Sequence, residues 1–200
     1  MPSKSKAQHN LMEMVAHDPK AAKRMGIPCV PGSDGPVGGE ADAKRIAREI
    51  NDYAAMMKSK YPSRFGIFTT LPLPDIDGSL KEIEYGFSNL KADGVYMYTN
   101  WGGKALYGDK YLGDPALAPI YEELNRRGAI VYTHPTDASC CHALLPNTSP
   151  ATVEWQTDTA RAIFNVINDT GGRPSMATRC PNIRFIWSHG GGTLIGLMNR

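Results

Sequence analysis

The chain has 200 residues, of which 42% are hydrophobic and 21% are charged, and its formal net charge is +2. This composition is typical of a globular domain with a buried core and excludes a largely disordered chain. The sequence contains no dense run of Lys or Arg, no apolar stretch of membrane-spanning length and no apolar signal core at its N-terminus. We therefore expect a cytoplasmic protein that binds neither nucleic acid nor a membrane.

From about residue 41 the chain alternates amphipathic helices with short apolar strands, which is the pattern of βα units around a parallel sheet. Four strands are predicted, at residues 65–71, 95–99, 129–133 and 183–188. The helices are indicated by apolar residues at helical spacing. These are Ile46, Ile50, Tyr53 and Met57 in the first helix, Ile76, Leu80, Ile83, Phe87 and Leu90 in the second, Leu117, Ile120 and Leu124 in the third, and Ala160, Ile163, Phe164 and Ile167 in the fourth.

The third helix has start and stop signals of its own. It follows a Gly-rich loop at 101–113, begins at Asp114-Pro115 as a cap followed by proline, and ends near Gly128. A closed (β/α)8 barrel needs eight strands and about 250 residues, twice the number of strands counted here. The pattern therefore predicts an α/β fold in the form of an incomplete barrel, with about four βα units over residues 41–200. Residues 1–40 are interpreted as a separate N-terminal segment of uncertain origin.

The four cysteines show no spacing typical of a zinc ribbon or of a disulfide framework. They are Cys29, Cys140, Cys141 and Cys180, and two of them are adjacent in the chain. We interpret all four as reduced thiols, since free cysteines usually behave as small buried apolar residues.

Two histidines directly follow predicted strands, His134 in the phrase YTHPT and His189 in SHGGGT. In a parallel βα fold the active site lies at the C-terminal ends of the strands, so these positions favour a shared site. The alternative is two independently hydrogen-bonded histidines at the starts of loops. A neutral imidazole suits a divalent metal such as zinc, but a catalytic zinc normally has three protein ligands. The other histidines, His9, His17 and His142, show no HxH or HExxH spacing.

Residues from about 44 to 200 resemble the amidohydrolase-related family that contains aminocarboxymuconate-semialdehyde, 6-methylsalicylate and γ-resorcylate decarboxylases. The resemblance rests on long phrases: FTTLPLPDIDGSLKEIEYG, LKADGVYMYTNWGGKALYGD, YLGDPALAPIYEELNRR, VYTHPT and NIRFIWSHGGGT. It implies a metal-dependent (β/α)8 TIM barrel of the amidohydrolase superfamily. In that family one divalent metal, usually zinc or manganese, is held by a first-strand HxH pair, a mid-barrel His and an Asp near the last strand.

The resemblance also implies roles for single residues. His134 matches the mid-barrel metal ligand, and His189 matches the residue that takes part in proton transfer. Arg200 falls where semialdehyde-type decarboxylases hold a substrate carboxylate, sometimes across a dimer interface, so a homodimer is one expected assembly. Trp101, in the loop after a strand, is a candidate wall of the substrate pocket, with the alternative that it covers the barrel rim. The HxH pair and the Asp are not found in the sequence, which predicts weak metal binding and no turnover by the isolated chain.

A second, shorter resemblance lies near the N-terminus. Residues about 23–50, KRMGIPCVPGSDGPVGGEADAKRIAREI, resemble a segment of biotin carboxylases. The segment lacks the glycine-rich lid and the catalytic residues that would follow it in those enzymes. We therefore assign it no ATP chemistry.

The expected activity is non-oxidative decarboxylation of a small aromatic or muconate-like carboxylic acid by a metal-dependent carboxy-lyase. One alternative is a lactone hydrolase or a hydratase of the same superfamily. A second alternative, from a different class, is a non-catalytic remnant that serves as an interaction module. A biotin-carboxylase fragment is a third.

Overall fold

A computed structural model of the protein describes residues 40–101, 110–136, 138, 141, 145–168 and 174–194. All of them lie in the compact unit Gly38–Arg200. The helices are α1 (Glu40–Lys60), α2 (Ile76–Ser88), α3 (Ala118–Arg127), α4 (Pro150–Ile167) and α5 (Met176–Arg179). The strands are β1 (Phe68–Thr70), β2 (Gly94–Tyr98), β3 (Asn100–Trp101), β4 (Lys110–Tyr111), β5 (Ile130–His134) and β6 (Arg184–Trp187). A turn of 3₁₀ helix covers Pro115–Leu117, and Ser188–Leu194 is an irregular turn in which residues 189–192 have positive φ.

Four of the strands form one parallel sheet in the order β1-β2-β5-β6. This confirms the predicted strands and their parallel α/β arrangement, and the sheet corresponds to part of a barrel. The remaining two strands, β3 and β4, pair antiparallel beside the sheet. They occupy the stretch that was predicted as a Gly-rich loop, so this short hairpin was missed.

Local signals in the sequence explain where two of the helices begin and end. The side chain of Asp75 caps α2 by accepting a hydrogen bond from the Gly78 backbone at 3.0 Å. Asp114 accepts in the same way from the Ala116 backbone at 2.9 Å and starts the 3₁₀ turn that leads into α3. Gly128 ends α3 in the left-handed conformation, with φ of 58°. The predicted signals at both ends of this helix are confirmed.

The core lies between one face of the sheet and the helices. Val95 and Met97 of β2 and Val131 of β5 are buried on this face. Side chains alternate along a strand, so Tyr96 and Tyr132 point to the opposite face, where their ring centroids lie 5.8 Å apart. This second, partly exposed face carries the aromatic side chains of β1, β2 and β5 and ends at His134, whereas Phe185 and Trp187 of β6 pack on the core side.

The buried faces of two helices differ from the apolar patterns that predicted them. In α1 the buried residues are Ala47 and Asn51, whereas Ile50 is 36% exposed. In α4 Phe164 and Ile167 are exposed, and smaller residues of the helix are buried instead. Polar contacts of Asn51, described below, account for the difference in α1.

Two of the four cysteines, Cys180 and Cys141, lie among the described residues, and Cys29 and Cys140 lie outside them. Cys180 is a free thiol and is buried, as expected of a small apolar residue. Cys141 is disulfide-bonded, so the interpretation of this residue as a reduced thiol was wrong. Among the described residues, no helix is long and apolar enough to cross a membrane.

Candidate active site

His134 is the last residue of β5, in the middle of the parallel sheet. Its Nδ1 lies 2.9 Å from the carbonyl oxygen of Pro135. Because a carbonyl oxygen only accepts hydrogen bonds, this contact requires a proton on Nδ1. The neutral ring then keeps a lone pair on Nε2, the atom that is available to a metal or to an acid.

His189 follows β6 in an unusual left-handed turn. The φ angles of His189, Gly190, Gly191 and Gly192 are 51°, 59°, 80° and 67°, and glycine adopts such values at little cost. A Cβ atom at Gly192 would overlap the Gln156 carbonyl oxygen of α4. The run of glycines therefore lets the chain turn left-handed while its backbone lies directly against α4.

This turn decides which way His189 points. Thr133 of β5 is paired with Trp187 of β6, so the two share the face that packs on the helices. Regular alternation would put His189 on that same face, opposite His134. The positive φ at His189 changes the direction of the side chain, and the two imidazole centroids lie 5.4 Å apart. The structure thus brings the two predicted histidines together.

A third ring, which sequence reasoning missed, completes this group. Trp155 on α4 lies 5.7 Å from the His134 ring in an edge-to-face arrangement, and 6.5 Å from the His189 ring. Edge-to-face contacts are favourable for aromatic rings because the positive edge of one meets the negative face of the other. The sequence around Trp155 gives no signal that its ring would lie beside the two histidines.

Burial affects the titration of His134. It lowers the pKa of the imidazole below its usual value, because charging a half-buried ring removes it from water. The nearby His189 acts in the same direction, while the hydrogen bond to Pro135 opposes both effects. The neutral form of His134, which is the form that binds a metal, is therefore favoured.

A buried carboxylate on α4, also missed from the sequence, contacts the loop after β2. Asp158 is 1% exposed. It accepts hydrogen bonds from the Thr99 hydroxyl, from Asn100 Nδ2 at 2.9 Å and from the Tyr111 hydroxyl at 2.6 Å. Burial of the phenol, and then its hydrogen bond to the Asp158 carboxylate, raise the pKa of Tyr111, so the phenol stays protonated as a donor.

The other predicted site residues are not brought to the histidines by contacts that the structure describes. Trp101 lies in β3, packs against the core, and donates from Nε1 to the Tyr111 carbonyl at 3.4 Å. Its predicted role in the pocket wall remains a prediction. Arg200 and His142 lie outside the described residues.

Residues 28–199 match the family model described as amidohydrolase. The chain belongs to this amidohydrolase family. Its family match begins within the N-terminal segment that was set apart at residues 1–40, and that division stays a prediction.

Several curated decarboxylases are similar to this amidohydrolase-family chain. Decarboxylase yanB of Aspergillus niger is 39% identical over 163 residues, covering 78% of this chain and 42% of that protein. The 6-methylsalicylic acid decarboxylase of Penicillium expansum is 36% identical over 162 residues, covering 79% and 46%. The 2-amino-3-carboxymuconate-6-semialdehyde decarboxylase of Dictyostelium discoideum is 31% identical, covering 76% and 39%. The chain thus spans less than half the length of these relatives.

Solved structures support the barrel assignment. An amidohydrolase II crystal structure superposes with a TM-score of 0.65 at 27% identity, covering 78% of this chain and 48% of that one. A dihydroxybenzoic acid decarboxylase from Polaromonas, solved with manganese and the inhibitor 2-nitroresorcinol, gives a TM-score of 0.68 and covers 91% and 57%. Its identity of 18% shows the shared fold alone.

The second resemblance is also found. A biotin carboxylase of Haemophilus influenzae is 32% identical over 121 residues, which is 60% of this chain and 25% of that protein. A similarity to biotin carboxylases is therefore confirmed, and its 121 matched residues extend beyond the segment of about residues 23–50 on which it was predicted.

The residues of this amidohydrolase-family chain fit part of a metal site. His134, held through Nδ1, presents Nε2 as a ligand should, and His189 lies beside it. Among residues 40–101, 110–136, 138, 141, 145–168 and 174–194, no group of three or more His, Cys, Asp or Glu side chains is placed to hold a metal ion. The described part alone does not supply the three protein ligands of a catalytic zinc.

Proposed function

We propose that this protein serves a metal-dependent carboxy-lyase reaction, the loss of CO2 without oxidation from a small aromatic carboxylic acid. The observation that carries the proposal is the pairing of His134 and His189, with ring centroids 5.4 Å apart at the ends of adjacent parallel strands. It occurs in a chain that is 39% and 36% identical to curated decarboxylases over most of its length.

His134 is proposed as a metal ligand through Nε2. Its hydrogen bond to Pro135 fixes the tautomer, and burial favours the neutral ring. A bound zinc or manganese ion would supply Lewis-acid polarisation of the substrate or of water. The identity of the metal is part of the proposal.

His189 is proposed as the group that transfers the proton. As an imidazolium it delivers a proton to the ring carbon that bears the carboxylate. The bond between that carbon and the carboxylate then breaks, its electron pair stays on the ring, and CO2 leaves. His189 regains a proton from water, to which it is exposed.

The substrate contacts are proposals as well. Trp155 lies against both imidazoles and is placed to exclude water from one side of the reacting group. Trp101 as a further wall, Arg200 as a carboxylate ligand, a homodimeric assembly and a cytoplasmic location remain predictions.

A chimeric enzyme tests the proposal. Residues 40–194 of this chain replace the matching part of the 6-methylsalicylic acid decarboxylase of Penicillium expansum, and CO2 release from 6-methylsalicylate is measured after circular dichroism and metal analysis. We expect turnover that falls by about 10²-fold or more in His189→Ala, the typical contribution of a general acid. His134→Ala should lose bound metal.

Either of two results would contradict the proposal. One is a folded, metal-loaded chimera that releases no CO2, and the other is a His189→Ala chimera as fast as its parent. Formation of a hydrated or hydrolysed product without CO2 would favour the hydratase or the lactone hydrolase instead.

A further inference from the structure

Helix α4 contacts the end of β5 and the segments that follow β2 and β6. Trp155 lies against His134 at the end of β5, and the Gln156 carbonyl lies against Gly192 in the turn after β6. Asp158, one turn further along the helix, binds the residues that follow β2. These contacts place one face of α4 along the rim of the candidate site.

The contacts of Asp158 are of one chemical type. All three of its short contacts come from donors, namely the Thr99 hydroxyl, the Asn100 amide nitrogen and the Tyr111 hydroxyl. An ionised carboxylate is an acceptor only, so this set of donors matches it. Among the described residues, the nearest cationic contact is Arg161 Nη1 at 4.0 Å. The buried carboxylate is therefore surrounded by three hydrogen-bond donors that follow β2 in the chain and by one more distant guanidinium.

Burying a carboxylate is unfavourable unless its oxygens are hydrogen-bonded, so the group holds its donors in a defined arrangement. The donors lie 47 to 59 residues away along the chain. Asn100 also donates to the Thr136 carbonyl at 3.1 Å, two residues beyond His134. The network thus runs from α4 through the β2 loop to the loop that follows the β5 histidine.

We propose that Asp158 is a positioning residue of this site. Its carboxylate fixes Asn100 and Tyr111, and through them it sets the place of Trp101 on one side and of Thr136 on the other. The proposal that this serves catalysis rests on the proposed function, whereas the positioning itself is tested without any turnover.

The test uses fluorine NMR of the full chain labelled with 5-fluorotryptophan, which gives one signal for each of its 3 tryptophans. Assignment is by single Trp→Phe variants. Asp158→Asn keeps the size of the side chain but replaces one acceptor oxygen with an NH2 group that faces donors. We expect the Trp101 signal to move or to split, while the Trp187 signal, from a ring stacked on Phe185 at 4.7 Å, stays in place.

Asp52→Asn is the matched control, because Asp52 also accepts a hydrogen bond from a tyrosine hydroxyl, that of Tyr85 at 2.8 Å, but at an exposed position. This variant should leave all three signals unchanged. Equal movement of all three signals in Asp158→Asn would show a general packing role and overturn the proposal. An unmoved Trp101 signal would overturn it as well.

A milder variant keeps the test decisive if Asp158→Asn does not fold. Thr99→Val removes one donor and retains nearly the same shape. We expect the Trp101 signal to move in this variant while the Trp187 signal stays in place, and an unmoved Trp101 signal would refute the proposal. In the chimera described above, Asp158→Asn should raise the KM for 6-methylsalicylate more than it lowers kcat. An inactive parent chimera would count against the proposed function and leave the NMR result standing.

Discussion

Substituting Asn51 should destabilise the fold strongly, because this one side chain binds both backbone groups of Thr70 at the outer edge of β1. Asn51 lies on α1, and its side chain is 2% exposed. Its Oδ1 accepts from the Thr70 backbone N–H at 2.8 Å, and its Nδ2 donates to the Thr70 carbonyl at 3.0 Å. The same Nδ2 donates to Glu82 Oε1 at 2.9 Å. Since β1 is an edge strand of the described sheet, the carboxamide takes the place of a neighbouring strand.

Asn51→Ala removes all three hydrogen bonds. A protein hydrogen bond contributes about 1 kcal/mol net, and a buried group left without a partner costs about 1–3 kcal/mol. Thr70 is only half-buried, so water recovers part of the loss. We therefore expect the free energy of unfolding to fall by about 3 kcal/mol, a large share of the roughly 5–15 kcal/mol of a typical domain. For a domain of this size that lowers the Tm by about 6–12 °C.

Urea denaturation followed by circular dichroism measures this change, with Asn89→Ala as the control. Asn89 is exposed at the end of α2, so its substitution should change the free energy of unfolding by less than about 0.5 kcal/mol. A loss of under about 1 kcal/mol in Asn51→Ala, or a loss equal to that of the control, would refute the edge-satisfaction argument.

Three further results are expected. Gly192→Ala should cost clearly more stability in thermal denaturation than Gly128→Ala, because both have positive φ but only the first would place a Cβ against a carbonyl oxygen of α4. Equal costs would contradict this. Hydrogen bonds lower the pKa of Glu123 from 4.5 to about 2, and those from Arg126 contribute most. The ionised carboxylate therefore stabilises the folded protein above pH 4.5, and this contribution is lost as the pH falls towards 2. Between pH 4.5 and 2, the free energy of unfolding of Glu123→Gln, measured by urea denaturation, should therefore fall less than that of the parent. An equal fall in both proteins would exclude the effect. Calorimetric titration of the chain with zinc or manganese should show weak binding that His134→Ala weakens further, whereas tight stoichiometric binding would show a complete set of ligands.

The sequence was sufficient to predict the arrangement of strands and helices and the position of the two histidines at strand ends. Strands appear as short apolar runs bounded by turn residues, and β2 and β5 begin and end within a residue of their predicted positions. The cap at Asp114 and the stop at Gly128 are local signals, so they survive whatever tertiary contacts form. Parallel pairing then followed from the alternation of helix and strand.

Helix faces and polar networks could not be read from the same patterns. Apolar spacing in α1 indicated Ile50, yet the buried position is Asn51, because an amide completes the edge of β1 better than a hydrocarbon does. In α4, Asp158 is buried by donors from a segment far away in the chain. Such partners come together only in the folded protein, so the local sequence around Asp158 and Trp155 contains no sign of their role.

The agreement between prediction and structure at the histidines depends on more than strand ends. Adjacent strands lie about 4.8 Å apart, so any two residues at the ends of β5 and β6 would be near each other. Alternation alone, however, would have placed His134 and His189 on opposite faces of the sheet. Their backbones would then be close, but their imidazoles could not act in one site. The left-handed φ of 51° at His189 is what brings its ring to the same side, and the glycines after it allow the chain to continue along α4. The glycines of the SHGGGT phrase therefore allow the turn that places the His189 side chain on the same side of the sheet as His134. The site depends on this turn as much as on the histidine itself.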